Sequence, residues 1–94
     1  MTYEERQKQN IDKYKAIGLD VLQLINEYEQ YLPGQYSSLI QSKINVNKRE
    51  NQRVSKRTIR LVKNFIIYNH HIFLTIIRIA KNNKDRINKI NNDI

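Results

Sequence analysis

The sequence predicts an all-α protein built as a helical hairpin, in which two long antiparallel helices are joined through a turn and a short intervening helix. Three observations predict this fold class. Apolar residues recur at steps of three and four in both halves of the chain, a helix-start signal precedes each half, and the single proline stands beside a glycine at 33–34. With 94 residues, the chain is expected to form one small domain.

The first predicted helix begins near the N-terminus and ends before the proline. Thr2 and Glu5 have the spacing of a capping box, which satisfies two backbone N–H groups at a helix start. An apolar stripe then continues to Leu32, where Pro33 disfavours a helical conformation. Gly18 lies on this stripe, either to allow the close approach of another helix or as a weak point or kink.

A short second helix and a long final helix are predicted after the turn. Residues 36–44 keep one face apolar and are expected to be helical when packed against the rest of the chain. Asn47 repeats the capping signal, so the final helix is expected to begin near Lys48 and to end near Asn83. Ser55 is a competing start.

These boundaries divide the chain into a helical domain and a polar tail. Residues 1–83 are expected to form a single helical domain. Residues 84–94 form a polar C-terminal tail, which either extends the last helix or frays, and we expect fraying. A strand within residues 64–80 is the alternative to helix there, but apolar and polar residues do not alternate as a half-buried strand requires.

Positive charge is concentrated in the second part of the chain. Residues 43–63 include eight basic residues and one acidic residue, whereas residues 1–34 include six acidic and four basic residues. At about 100° per residue, the bases of the final helix point away from its apolar side and form a basic ridge. The ridge consists of Arg49, Arg53, Lys56, Arg60 and Lys63. Lys48 and Arg57 flank it, and all seven are the candidate nucleic-acid-binding residues.

The basic ridge predicts a contact with nucleic acid. A basic helix fits the major groove of duplex DNA, and arginine side chains bind both phosphates and guanine edges. Two alternatives remain open. The ridge is either an ordinary solvated helix face in a lysine-rich chain, or it contacts an acidic protein or a membrane surface.

A seven-residue segment of the ridge region, Val54-Ser55-Lys56-Arg57-Thr58-Ile59-Arg60, opens with a serine followed by basic residues and a threonine. It resembles the opening of the recognition helix in helix-turn-helix proteins, which implies that its threonine and basic side chains face DNA. The preceding Arg49-Glu50-Asn51-Gln52-Arg53 departs from that family, because it lacks the apolar residues and the glycine that close the turn. The predicted fold does not depend on this resemblance.

Residues 65–80 are apolar on nearly every side of the predicted final helix. One partner helix cannot cover all of these side chains. Two hairpins that form a homodimeric four-helix bundle would bury them, and the alternative is a compact monomer in which the second helix and the tail do so. We expect the dimer. The candidate interface residues are Phe65, Ile67, His71 and Leu74.

Nothing in the sequence predicts catalysis, a metal site or a cofactor. The chain has no cysteine, no glycine-rich phosphate loop and no pair of carboxylates spaced for acid–base chemistry. His70 and His71 would point about 100° apart on a helix, and no nearby acidic residue completes a metal site. We therefore expect a protein that is not an enzyme.

The sequence also predicts no transmembrane segment. The apolar run from Phe65 to Ala80 contains Arg78 and is shorter than the roughly 20 residues of a spanning helix. The start of the chain is polar and acidic, unlike a secretory signal. Together with the absence of cysteine, these features favour a cytoplasmic location.

The function predicted from the sequence is that of a small, basic, nonenzymatic protein that binds duplex DNA as a homodimer. Its role would be regulatory or accessory, for example in a mobile element. The alternative is a helical protein-interaction module that inhibits or neutralises another macromolecule. Small bacteriocin-immunity proteins and phage-encoded inhibitors have comparable size and helical content, although no motif links this sequence to either.

Overall fold

The computed structural model describes residues 1–46, 48–49 and 52–92, and these residues contain α-helices but no β-strand. The predicted all-α class is therefore confirmed for the described part of the chain. The order of the elements is α1 (Tyr3–Ala16), α2 (Val21–Tyr28), a 3-10 turn (Glu29–Tyr31), α3 (Tyr36–Ile44), α4 (Lys56–Lys63) and α5 (His70–Asn92).

The predicted hairpin of two long helices is wrong, because each long helix is divided into two. The first break lies at Gly18, whose φ of 84° is in the left-handed region that glycine adopts easily. The N–H groups of Gly18 and Leu19 donate to carbonyls in the last turn of α1, each at 3.0 Å, which is a Schellman motif. Asp20 then caps α2, since its carboxylate accepts a hydrogen bond from the Gln23 N–H at 3.2 Å.

Close approach of another helix does not explain Gly18. A Cβ atom built at this position would have no heavy atom within 4 Å. The left-handed backbone conformation is the reason for a glycine at position 18. Gly18 lies just after the end of α1, whereas the apolar stripe predicted that it would lie in the interior of a long helix.

The second break has the same geometry, with a phenylalanine in place of the glycine. Phe65 has a φ of 64°, which is uncommon for a residue with a Cβ atom. The N–H groups of Phe65 and Ile66 donate to carbonyls of α4 at 3.1 and 2.9 Å, again as in a Schellman motif. Asn69 begins the next helix, because its side-chain oxygen accepts a hydrogen bond from the Ile72 N–H at 3.0 Å.

Tertiary contacts stabilise Phe65 in this conformation. Its buried ring lies 6.3 Å from the Tyr14 ring and 5.8 Å from the Phe73 ring, measured between centroids. Its carbonyl accepts a buried hydrogen bond of 2.7 Å from the side-chain amide of Asn10. These contacts offset a backbone cost of roughly 1–2 kcal/mol.

Tyr14 lies at the centre of the core and joins α1 to the turn between α4 and α5. Its side chain is fully buried, and its ring centroid is 4.7 Å from that of Tyr68 and 5.3 Å from that of Phe73. Its hydroxyl accepts a hydrogen bond from the Asn69 N–H at 3.0 Å. Burial raises the pKa of this hydroxyl, while the hydrogen bond from Asn69 lowers the pKa and Tyr68 raises it.

Helix α5 is the central helix of the fold. It packs against α2, α3, α4 and the 3-10 turn. Because the two breaks convert two long helices into four shorter ones, a single chain supplies the several neighbours that an apolar helix needs. A second copy is not required to bury the apolar segment. The buried residues of α5 are Ile72, Phe73, Ile76, Ile77 and Ala80.

Helix α4 begins at the competing start that the sequence offered. The Ser55 hydroxyl accepts a hydrogen bond from the Thr58 N–H at 3.1 Å and caps the helix. The start predicted near Lys48 is wrong, because Lys48 and the residues described up to Ser55 are not part of an α-helix. Asn47, the predicted cap for that start, lies outside the described residues.

The predicted start of α1 and the predicted bounds of α3 agree with the structure, whereas the predicted end of the final helix does not. The Thr2 hydroxyl caps α1 by accepting from the Glu5 N–H at 3.2 Å, and α3 has the predicted bounds. Helix α5 continues past the end predicted near Asn83, so residues 84–92 of the predicted tail are helical. Residues 93–94 lie outside the described part. Among the described helices, none combines the length and the apolar composition needed to cross a membrane.

Candidate functional site

Helix α4 has an apolar side and a cationic side. Ile59 and Val62 are fully buried, and Lys56, Arg57 and Arg60 are exposed. At about 100° per residue, the three cationic residues lie within an arc of about 100° on the side of the helix that faces solvent. Core packing therefore fixes a helix that presents three positive charges to solvent.

Lys63 lies at the edge of this cationic side and has a partner within the chain. Its Nζ is 2.6 Å from Oε1 of Glu29, which belongs to the 3-10 turn. About half of the Glu29 side chain is exposed, so the ion pair contributes at most about 1 kcal/mol to stability. A phosphate would nevertheless have to compete with Glu29 for Lys63. Lys63 is therefore the weakest of the predicted contact residues.

Lys48, Arg49 and Arg53 lie in the connection between α3 and α4. All three side chains are exposed, but none of the three residues belongs to an α-helix. The prediction of one continuous basic ridge on a single helix is therefore wrong. The exposed bases form two groups, one in the connection and one on α4. We call these two groups together the basic surface, which consists of Lys48, Arg49, Arg53, Lys56, Arg57 and Arg60.

The connection is closed at its base by a pair of hydrogen bonds that we call the Asn45–Val54 clasp. The Val54 N–H donates to Oδ1 of Asn45 at 2.8 Å, and Nδ2 of Asn45 donates to the Val54 carbonyl at 3.1 Å. Nε2 of Gln41 donates to the same carbonyl at 3.3 Å. The clasp joins the end of α3 to the residue before the α4 cap, so Arg53 is next to a residue whose backbone is held in place.

The basic surface has no ion pair with an acidic residue among those that the structure describes. The ion pairs in the described part of the chain lie elsewhere. They join Lys63 to Glu29, and Lys84 to Glu27 at 3.8 Å. Glu50, the one acidic residue between positions 43 and 63, lies outside the described residues. With a net charge of +8 on the chain, a surface of this kind attracts polyanions at long range.

The resemblance to a recognition helix agrees with the structure only at the start of α4. Ser55 is the helix cap, as in that family, and its hydroxyl is 2.9 Å from the hydroxyl of Thr58. The preceding connection spans residues 45–55, however, whereas helix-turn-helix proteins have a turn of about three to four residues. The arrangement of α3 and α4 is therefore not a helix-turn-helix.

The four residues predicted for a dimer interface do not form one surface. Phe65 is buried in the core of the chain, and Ile67 packs against that core. His71 and Leu74 are exposed on α5, Leu74 with 37% of its surface accessible. These four side chains therefore do not form an apolar patch through which two copies could associate.

The two histidines begin α5, where both side chains are exposed. Within the described ranges, no three His, Cys, Asp or Glu side chains are grouped closely enough to hold a metal ion. In the described part of the chain, His70 and His71 thus belong to no group of three possible metal ligands.

The Asn45–Val54 clasp has no signature in the sequence. An asparagine side chain can pair with the N–H and carbonyl of almost any backbone residue, so no spacing rule identifies Val54 as its partner.

Comparisons with protein-family models, with curated proteins and with solved structures give no match for this chain. A functional proposal therefore has to rest on the chemistry of the basic surface.

Proposed function

We propose that this chain is a nonenzymatic regulatory or accessory protein that binds duplex DNA through its basic surface. The observation that supports this most strongly is the two-sided character of α4. Lys56, Arg57 and Arg60 are exposed opposite the buried Ile59 and Val62. Because core packing already orders the helix backbone, binding does not add the cost of forming this helix to the ordinary costs of association.

The composition of the basic surface favours a duplex over a single strand. Residues 43–63 include no aromatic residue. Proteins that bind single strands stack the unpaired bases on aromatic side chains, whereas duplex phosphates are bound by cations and hydrogen-bond donors alone. Contacts with the phosphate backbone are therefore expected to dominate the affinity. One basic surface is sufficient for this binding, so the proposal does not require the predicted homodimer.

Electrophoretic mobility shifts and fluorescence anisotropy at a series of salt concentrations test this proposal. If all six bases contact phosphates, the slope of log K against log salt concentration should be about −5, with a loss of about 1,000-fold in affinity between 50 and 200 mM salt. Lack of retardation of a duplex probe at low salt would contradict the proposal. Tighter binding of single strands would contradict its choice of ligand.

Charge reversal at the site separates specific placement from net charge. Arg53→Glu, Arg57→Glu and Arg60→Glu together should abolish duplex binding. A matched control reverses Arg6, Lys8 and Lys15, which are exposed on α1, and gives the same change in net charge. The control should lose affinity only modestly, because the reversed residues are outside the basic surface. Equal losses in the two triple variants would mean that net charge alone causes the binding.

A further inference from the structure

An apolar groove of about 270 Å³ opens between the turn at Pro33, α3 and the second half of α5. Its apolar lining comes from three different parts of the chain. Leu39 projects from α3 with 47% of its surface exposed, although it belongs to a helix that packs against α5. The lining residues are Pro33, Leu39, Ile79, Asn82, Asn83 and Arg86.

The apolar side of α5 continues beyond this groove. Ile87 and Ile90 are 39% and 56% exposed in the last turns of the helix. At about 100° per residue, Ile90 lies within about 20° of Ile79, so it extends the groove side of α5. Ile90 is 11 positions after Ile79, which corresponds to about 17 Å, or three helical turns, along α5.

The α5 wall of the groove is attached firmly to the rest of the fold. Nδ2 of Asn83 donates to the Tyr31 carbonyl at 2.6 Å. The neighbouring Lys84 ammonium lies 5.3 Å from the Tyr28 ring centroid and 5.4 Å from that of Tyr31. A partner that enters the groove would thus meet a preformed surface.

The charge along this surface is positive. Arg86 lines the groove itself, and Lys89 lies about 80° from Ile79 around α5, whereas Lys81 and Lys84 point away from the groove. Lys43 is exposed one turn from Leu39 on the same side of α3. Asp85 is about 140° from Ile90 around α5 and therefore points away from the groove. A second copy that docked through this same face would bring the same cations against one another, whereas an acidic partner would complement them.

We propose that this groove binds an amphipathic helix of a partner protein, with acidic residues beside the apolar stripe of that helix. The stripe would contact Leu39, Ile79 and Ile90, which together match the apolar anchors of about three helical turns. Arg86 and Lys43 would pair with the flanking carboxylates. This site goes beyond the proposed DNA binding and shares no residue with the basic surface.

Selection from a random-sequence peptide display library, with this chain as the target, tests the proposal. Enriched peptides should combine apolar residues at helical spacing with several acidic residues. They should bind the wild-type chain at least tenfold more tightly than the double variant Leu39→Gln, Ile90→Gln, which keeps every charge. Leu22→Gln, which changes a leucine that is 55% exposed on α2, is the matched control and should bind like the wild type. Circular dichroism should show that all variants are folded.

Several results would overturn the proposal. Equal affinity for the wild type and the groove variant would mean that net charge alone attracts the peptides. Enrichment of basic peptides, or of none, would reject the acidic partner. Self-association that is lost in the groove variant would assign the groove to a second copy, and groove-dependent binding to anionic lipid vesicles without peptide binding would assign it to a membrane surface.

Discussion

Gly18 and Phe65 have the same left-handed backbone conformation, for different physical reasons. Gly18 adopts it at little cost because it has no Cβ atom. Phe65 adopts it because the carbonyl is bound by Asn10 and the ring is enclosed by Tyr14 and Phe73. These two residues therefore mark the breaks in the two long helices that the sequence predicted.

Alanine at position 18 should destabilise the fold. Gly18→Ala places a Cβ atom on a backbone with a φ of 84°, which is expected to cost about 1 kcal/mol although the space around it is open. Gly34→Ala is the matched control, because Gly34 is not at positive φ and also has open space around it. The control should be neutral or stabilise by about 0.4–1 kcal/mol. Urea denaturation of both variants measures the two effects, and equal stability of the two would contradict this role of Gly18.

Tyr14 should make stability depend on alkaline pH. Burial raises the pKa of its hydroxyl above 10.0, so the unfolded chain loses this proton first as the pH rises. The contribution of Tyr14 to stability is therefore complete below pH 10 and is lost as the pH rises from 10 through the folded-state pKa.

Tyr14→Phe isolates this contribution from the other tyrosines. The variant leaves the Asn69 N–H without its acceptor and should lose about 1–3 kcal/mol at pH 7. Its free energy of unfolding should then fall less steeply above pH 10 than that of the wild type. Urea unfolding at pH values from 7 to 11 measures both effects, and identical alkaline slopes would exclude the proposed role of the buried hydroxyl.

At the scale of elements, α4 depends on contacts at both of its ends. Its start is held by Ser55 and by the Asn45–Val54 clasp, and its end by the turn at Phe65. An eight-residue helix is too short to be stable in isolation, so these contacts and the burial of its apolar side keep it helical. The basic surface depends on the same contacts for its geometry.

Loss of the clasp should weaken DNA binding without any change in charge. Asn45→Ala removes both hydrogen bonds to Val54, so the connection with Lys48, Arg49 and Arg53 becomes more mobile. Duplex affinity should fall about threefold to tenfold, which corresponds to the cost of ordering about one side chain. Fluorescence anisotropy with a labelled duplex measures this change, and the exposed Asn88→Ala is the control. Unchanged affinity would mean that the bases of the connection bind without help from the clasp.

In the whole molecule, the apolar segment of α5 is buried by other helices of the same chain, so its burial needs no second copy. Its apolar residues face α2, α3 and α4 of the same chain. The chain can therefore bury its core as a monomer, which removes the packing reason for the predicted homodimer.

Substitutions on α5 distinguish the monomer from the dimer. Leu74→Gln, at a partly exposed position, should change stability by no more than about 0.5 kcal/mol and leave the sedimentation coefficient unchanged. Ile76→Gln should destabilise the chain by several kcal/mol, because Ile76 is fully buried and no partner is available for the amide. Analytical ultracentrifugation and urea unfolding provide the two measurements. A wild-type dimer that Leu74→Gln dissociates would support the predicted homodimer and contradict the monomer.

The all-α class, the bounds of α3 and the cationic side of α4 could all be predicted from the sequence, because helical periodicity and charge placement depend only on residues a few positions apart. The break at Gly18 was also encoded locally, since a glycine two residues before a capping aspartate is a signal to stop and restart a helix. The break at Phe65 and the Asn45–Val54 clasp could not be predicted from such local patterns. The reason is that a left-handed phenylalanine is unfavourable in its own segment, and it is stabilised here by Asn10, 55 residues away along the chain.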